Sequence, residues 1–194
     1  MKKIKLFSGF LLFAALLSCS ALQSALQIVN CKYDIEGVTN PAIAGVSLRN
    51  ITNSGQIQAM DLLKLTAAFA TKNFPLSVTV NVKATNPGNI AATVQRLDWA
   101  IDLEQKEILN GTVGEVINIP SNGGSAIIPV TLGVDLLQLF KGETRDNLLN
   151  LAMNIANVGE SSSKVSIRIR PTVVIAGQSL TTGFITLGKT VASR

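Results

Sequence analysis

A ten-residue run near the middle of the chain alternates apolar and polar side chains without a break. Leu76, Val78, Val80, Val82 and Ala84 alternate with Ser77, Thr79, Asn81, Lys83 and Thr85. A strand turns successive side chains to opposite faces, so this run predicts a strand with one dry and one wet face. Two further segments repeat the pattern. Leu97, Trp99, Ile101 and Leu103 alternate with Arg96, Asp98, Asp102 and Glu104. Val165, Ile167 and Ile169 alternate with Lys164, Ser166, Arg168 and Arg170. Weaker strand signals cover Val29–Glu36, Ala44–Asn50, Ile108–Val113, Ile127–Val134, Val173–Ile175 and Phe184–Val191. Strands wet on one side exclude a doubly wound parallel sheet, whose strands are apolar on both faces. Short strands separated by Gly, Pro and Asn suggest an antiparallel sandwich or barrel. Two segments carry helical spacing instead. Ile57–Lys72 places Ile57, Met60, Leu63 and Ala67 on one face, with Leu62, Leu65 and Phe69 beside it. Asp135–Val158 reads as two short helices split near Lys141-Gly142.

The N-terminus carries an address. Lys2, Lys3 and Lys5 precede an apolar stretch, Leu6–Leu17, which is too short to cross a hydrocarbon core that needs about 20 residues. Residues 1–18 therefore read as a signal peptide. The stretch ends in Leu16-Leu17-Ser18-Cys19, which resembles the lipobox of bacterial lipoproteins. That resemblance implies cleavage before Cys19 and its lipidation, leaving 19–194 as a single anchored domain. Three of the 17 basic residues lie before residue 19 and none of the 12 acids does, so the net +5 falls to +2 beyond it. That small balance argues against a nucleic-acid partner. No acidic run follows Cys19, which favours the outer membrane, facing the periplasm. With Cys19 acylated, Cys31 has no disulfide partner and reads as a buried free thiol.

Catalytic signals are sparse. The chain has no His, the commonest general base and metal ligand. Ser163-Lys164 is the one adjacent Ser-Lys pair after the address, and no Gly-rich elbow accompanies it. Asp98 and Asp102 share a strand face, but four residues span about 13 Å, too far for one ion or a glycosidase pair. They read as a solvated face. Ser121-Asn122-Gly123-Gly124-Ser125 is Gly-rich but precedes a strand, so it reads as a hairpin loop rather than a phosphate cradle. Trp99 and Tyr33 fall on apolar strand faces and read as core. Lys164, Arg168 and Arg170 form a basic row on one wet face. No catalytic residue, metal ligand or cofactor is expected.

The stretch from Leu76 to Thr112 resembles the type 2 late embryogenesis abundant family, also called the water stress and hypersensitive response (WHy) domain. The carrying residues are the alternating strand, Asn86-Pro87, Arg96-Leu97-Asp98-Trp99-Ala100-Ile101, Ile108-Leu109-Asn110-Gly111-Thr112 and Ile128-Pro129-Val130. The resemblance spans roughly residues 74–190. It implies a mainly β fold, an antiparallel immunoglobulin- or fibronectin type III-like sandwich with two or three short accessory helices. It also implies a non-catalytic role in stress protection. Candidate contact surfaces are the loop Asn86, Pro87, Gly88, Asn89, the loop Ser121–Ser125 and the row Lys164, Arg168, Arg170. The expected partners are the membrane, through the N-terminal lipid, and an envelope protein. The alternatives are a carrier of an apolar ligand and an enzyme of unrecognised type.

Overall fold

The structure, a computed structural model, describes residues 23, 27–49, 51, 54–103, 106–156, 165–175 and 178–187. The address at 1–18, Cys19 and Lys164 lie outside these residues. In chain order the elements are β1 (Lys32–Ile43), β2 (Val46–Ser47), α1 (Ala59–Ala70), β3 (Pro75–Asn86), β4 (Ala92–Val94), β5 (Arg96–Leu103) and β6 (Lys106–Val113). There follow β7 (Ile117–Ile119), β8 (Gly124–Asp135), α2 (Leu136–Leu139), α3 (Arg145–Ala156), β9 (Val165–Ile175), β10 (Gln178–Thr181) and β11 (Ile185–Leu187).

The fold is mainly β, and its strand pairs are antiparallel. One sheet has the order β2-β1-β3-β8. The other has the order β10-β9-β5-β6, with β11 also paired to β9. Their inner faces meet as a sandwich in one continuous core. Val78, Val80 and Val82 of the first sheet share it with Leu97, Trp99, Ile101, Ile167 and Ile169 of the second. Each fully buried aliphatic side chain stabilises by about 1.5–3 kcal/mol relative to exposure. The alternation of β3 is thus satisfied, with Leu76, Val78, Val80, Val82 and Ala84 all buried. A small ribbon of β4 and β7 sits beside the sheets.

Several expectations need correction. The strand predicted at Val29–Glu36 begins at Lys32 and runs on to Ile43. It passes Gly37, Asn40 and Pro41 by means of two register shifts, at Ile35/Gly37 and Thr39/Ala42. Such bulges absorb residues that would otherwise end a strand. The segment Ala44–Asn50 yields only the two-residue β2. The Ser121–Gly124 turn does not close a ladder between its flanking strands, because β7 pairs with β4. Asn122 and Gly123 both have positive φ there, as a type I′ turn requires.

The helices flank the sandwich. In α3, Leu148, Leu149, Ala152 and Met153 are buried in the core. Asp135 caps α2 by accepting from the Leu137 N–H at 2.9 Å. The face of α1 that packs inward is not the one expected. Leu65 is fully buried, and Ala68 and Phe69 pack beside it. Met60 and Leu63 point to solvent at 67% and 64% exposure. A helix apolar on most of its circumference offers two faces, and the larger pair Leu65 and Phe69 takes the core. Phe69 meets Phe74 edge-on, with ring centroids 5.9 Å apart. Among the described residues, no helix is long and apolar enough to cross a membrane.

Candidate functional site

The outer face of the second sheet gathers most of the charged residues singled out above. Register sets the arrangement. Asp98 of β5 lies opposite Arg170 of β9 on one side and Thr112 of β6 on the other. Asp102 lies opposite Ser166 of β9 and Glu107 of β6. The Asp98 carboxylate accepts from Arg96 Nε at 2.8 Å, Thr112 Oγ1 at 2.9 Å and Arg170 Nη2 at 3.0 Å. Asp102 accepts a two-pronged bond from Arg168, Nε to Oδ2 at 2.6 Å and Nη2 to Oδ1 at 2.8 Å. Arg168 Nη2 also donates to Glu107 at 2.8 Å, and Glu107 accepts from Asn110 Nδ2 at 2.9 Å. Above the ladder, the Phe184 ring carries both guanidinium groups, with Arg168 Cζ and Arg170 Cζ at 4.8 and 4.6 Å from its centroid.

These contacts correct two expectations. Asp98 and Asp102 are not a solvated face; they are 9% and 6% exposed. Arg168 and Arg170 are not a free basic row, since each is engaged by a carboxylate from β5. The reason is register: ion pairs bridge 66 and 72 residues of sequence. Here three guanidinium groups meet three carboxylates, so the face is close to neutral.

The carboxyl chemistry follows from the contacts. Partial burial pushes the Asp98 carboxyl up, but hydrogen bonds from Arg96, Thr112 and Arg170 outweigh it and hold it below its ordinary range. The Arg168 hydrogen bonds lower Asp102 in spite of desolvation. The Asn110 amide, then Arg168, lowers Glu107. All three are therefore ionised acceptors at neutral pH. A carboxyl that gives a proton near pH 7 needs the opposite shift. Among the described residues, no three His, Cys, Asp or Glu side chains group closely enough to hold a metal ion.

The two candidate loops do come together. Asn122 N–H donates to Gly88 O at 2.6 Å, and Gly123 N–H donates to Asn86 O at 2.8 Å. Within this pole Asn86 is fully buried and is not a contact residue. Its Nδ2 donates to Ile90 O at 2.8 Å and its Oδ1 accepts from Gly88 N–H at 2.9 Å. The side chain thus fastens the loop from within. Pro87 and Asn89 are exposed. Gly88 shows no positive φ, and the end of the Gln27 side chain lies against it. Gln27, and with it the start of the described core, therefore sits at this loop pole.

The opposite pole holds a feature absent from the sequence expectations. The C-terminal end of α1 and α2 border an open cleft of about 550 Å³, lined by Phe69, Ala70, Lys72, Leu137, Gln138, Lys141 and Gly142. Helical spacing marks Phe69 as apolar, but only the tertiary fold brings Leu137 to it.

Cys31 is buried and free among the described residues, and burial raises its thiol above the ordinary value. Tyr33 is buried beside it, its phenol also raised by desolvation. Trp99 is in the core as expected, 9% exposed.

No protein-family model matches the chain, and no curated protein matches it. Among solved structures, the chain is similar to a crystal structure of a protein from Archaeoglobus fulgidus, at 11% identity and a TM-score of 0.34, over 58% of this chain and 80% of that one.

Proposed function

We propose that the chain is a non-catalytic, lipid-anchored envelope protein of the type 2 late embryogenesis abundant kind, with a binding or stress-protective role at the outer membrane facing the periplasm. The observation that supports the non-catalytic part of this reading is the ladder on the second sheet. Its carboxylates are saturated by Arg96, Arg168, Arg170 and Thr112 and held ionised. Such groups brace the sheet and neither donate nor accept a proton at neutral pH. The anchor would attach at the loop pole. Gln27 follows Cys19 by eight residues, a tether of at most about 28 Å when fully extended. Pro87 and Asn89 then face the bilayer side.

Mass spectrometry of the membrane-extracted protein tests the anchor. The expected N-terminal residue is an acylated Cys19, and Cys19→Ser is expected to move the protein to the soluble fraction. An unmodified chain that is soluble in wild-type cells would overturn the reading.

A specific observation favours a second reading, a carrier of an apolar ligand. The cleft between α1 and α2 has a volume within the range of about 300–1,000 Å³ typical of small-molecule sites.

A further inference from the structure

The cleft at the α1–α2 pole has an unusual division of character. Its walls are apolar at Phe69, Ala70 and Leu137, and its charges are Lys72 and Lys141. No acid lines it. Glu143, the acid nearest in sequence to Lys141, accepts from Asn147 Nδ2 at 2.9 Å. The wall formed by Ala70 continues along α1 into Ala67, Leu63 and Met60, spaced three or four residues apart on the outward face. This track is one helix wide and about 15 Å long. It ends at the two lysines.

We infer that the cleft and track bind a single acyl chain with a carboxylate head. The head lies between Lys72 and Lys141, and the tail runs over Ala70, Ala67, Leu63 and Met60. The inference rests on the carrier reading and names its ligand. Charge of one sign at one end selects an anion. A narrow track ending at that charge selects one chain rather than a broad surface. The bilayer that holds the anchor is a poor fit as occupant. Leu136 N–H donates to Phe74 O at 3.1 Å, which fixes the cleft at the Pro75 end of β3. Gln27, which the proposed tether would join, lies at the Asn86 end, and the twelve residues of β3 separate that end from the cleft by about 36 Å.

The test uses the full chain with diazirine-bearing palmitate and, separately, diazirine-bearing hexadecanol, with labelled peptides mapped by mass spectrometry. Palmitate is expected to label residues 59–72 and 136–142. Unlabelled palmitate should displace it at about one-tenth the concentration needed of hexadecanol, a difference of about 1.4 kcal/mol. Two exposed ion pairs supply an effect of that size. The double variant Lys72→Glu/Lys141→Glu should lose palmitate labelling about tenfold and keep hexadecanol labelling. Leu63→Glu should weaken both. Equal competition by the alcohol would overturn the carboxylate head and leave the carrier reading standing. Absence of labelling at these peptides by either probe would overturn both. A dimer that forms through α1 and is broken by Leu63→Glu, without labelling, would also overturn the inference in favour of a second copy.

Discussion

Trp99 and Gly111 are opposite each other on β5 and β6, and each explains the other. The indole lies where a Cβ at position 111 would stand, so only glycine leaves room for it. The Gly-Thr pair Gly111-Thr112 thus serves two faces. Gly111 admits the ring to the core, and Thr112 donates to Asp98 on the outside. Truncating a buried Trp removes transfer energy and leaves a cavity. Trp99→Ala is expected to cost about 3–5 kcal/mol, read as a lower urea midpoint by circular dichroism. An unchanged midpoint would place the indole on the surface and return it to consideration as a binding platform. Asn86 illustrates how a residue type misleads. Asn-Pro-Gly-Asn reads as an exposed turn, yet its first Asn is fully buried with both ends of its amide engaged. A side chain that bonds its own loop offers little to a partner.

Among the elements, α1 gives the sharpest contrast. Leu65 and Leu63 sit two residues apart on one helix, one fully buried and one 64% exposed. Leu65→Ala is expected to destabilise by about 2–5 kcal/mol. Leu63→Ala should stay within about 0.5 kcal/mol. Thermal melts of the two variants check the assignment, and the reverse order would restore the Met60, Leu63, Ala67 face to the core. Strands β3, β5 and β9 were legible because half-buried pairing writes its period into the residues. Strands β4, β7 and β10 were not, since three or four residues carry too few apolar positions to show a period. The long β1 was hidden by Gly37, Asn40 and Pro41, which sit at its irregular stretches. The spacing of Asp98, Asp102, Arg168 and Arg170 was visible from the start. Their pairing depended on which strands become neighbours, and no local pattern states that. The cleft was illegible for the same reason, since α1 and α2 are far apart in sequence.

The ladder ties β5, β6 and β9 together, so it sets how the whole molecule responds to acid. Asp98 and Asp102 have folded-state values held below those of the unfolded chain, about 3.9. Depressed carboxyls contribute stability that is fully present above the unfolded value and is lost as pH falls through the folded value. Stability is therefore expected to be flat near neutrality and to decline below about pH 4. Asp102→Asn should weaken that acid dependence and cost about 1–3 kcal/mol at neutral pH, because Arg168 loses its two-pronged acceptor. Urea titrations of both proteins between pH 3 and 8 check this. Parallel pH profiles would show that the Arg168 pair contributes nothing to the acid limb.

The first sheet ends on β8, a twelve-residue strand with β3 on one side. Among the described residues no strand pairs with its other side, and a long margin of this kind invites another chain to add itself and propagate fibrils. Pro129 falls midway along it, opposite Asn81. With no amide hydrogen, it breaks the row of donors that an invading strand would need. The margin is left as two shorter stretches, 124–128 and 130–135. In this way the proline guards solubility rather than shape, and its loss would be felt in aggregation before it was felt in melting temperature.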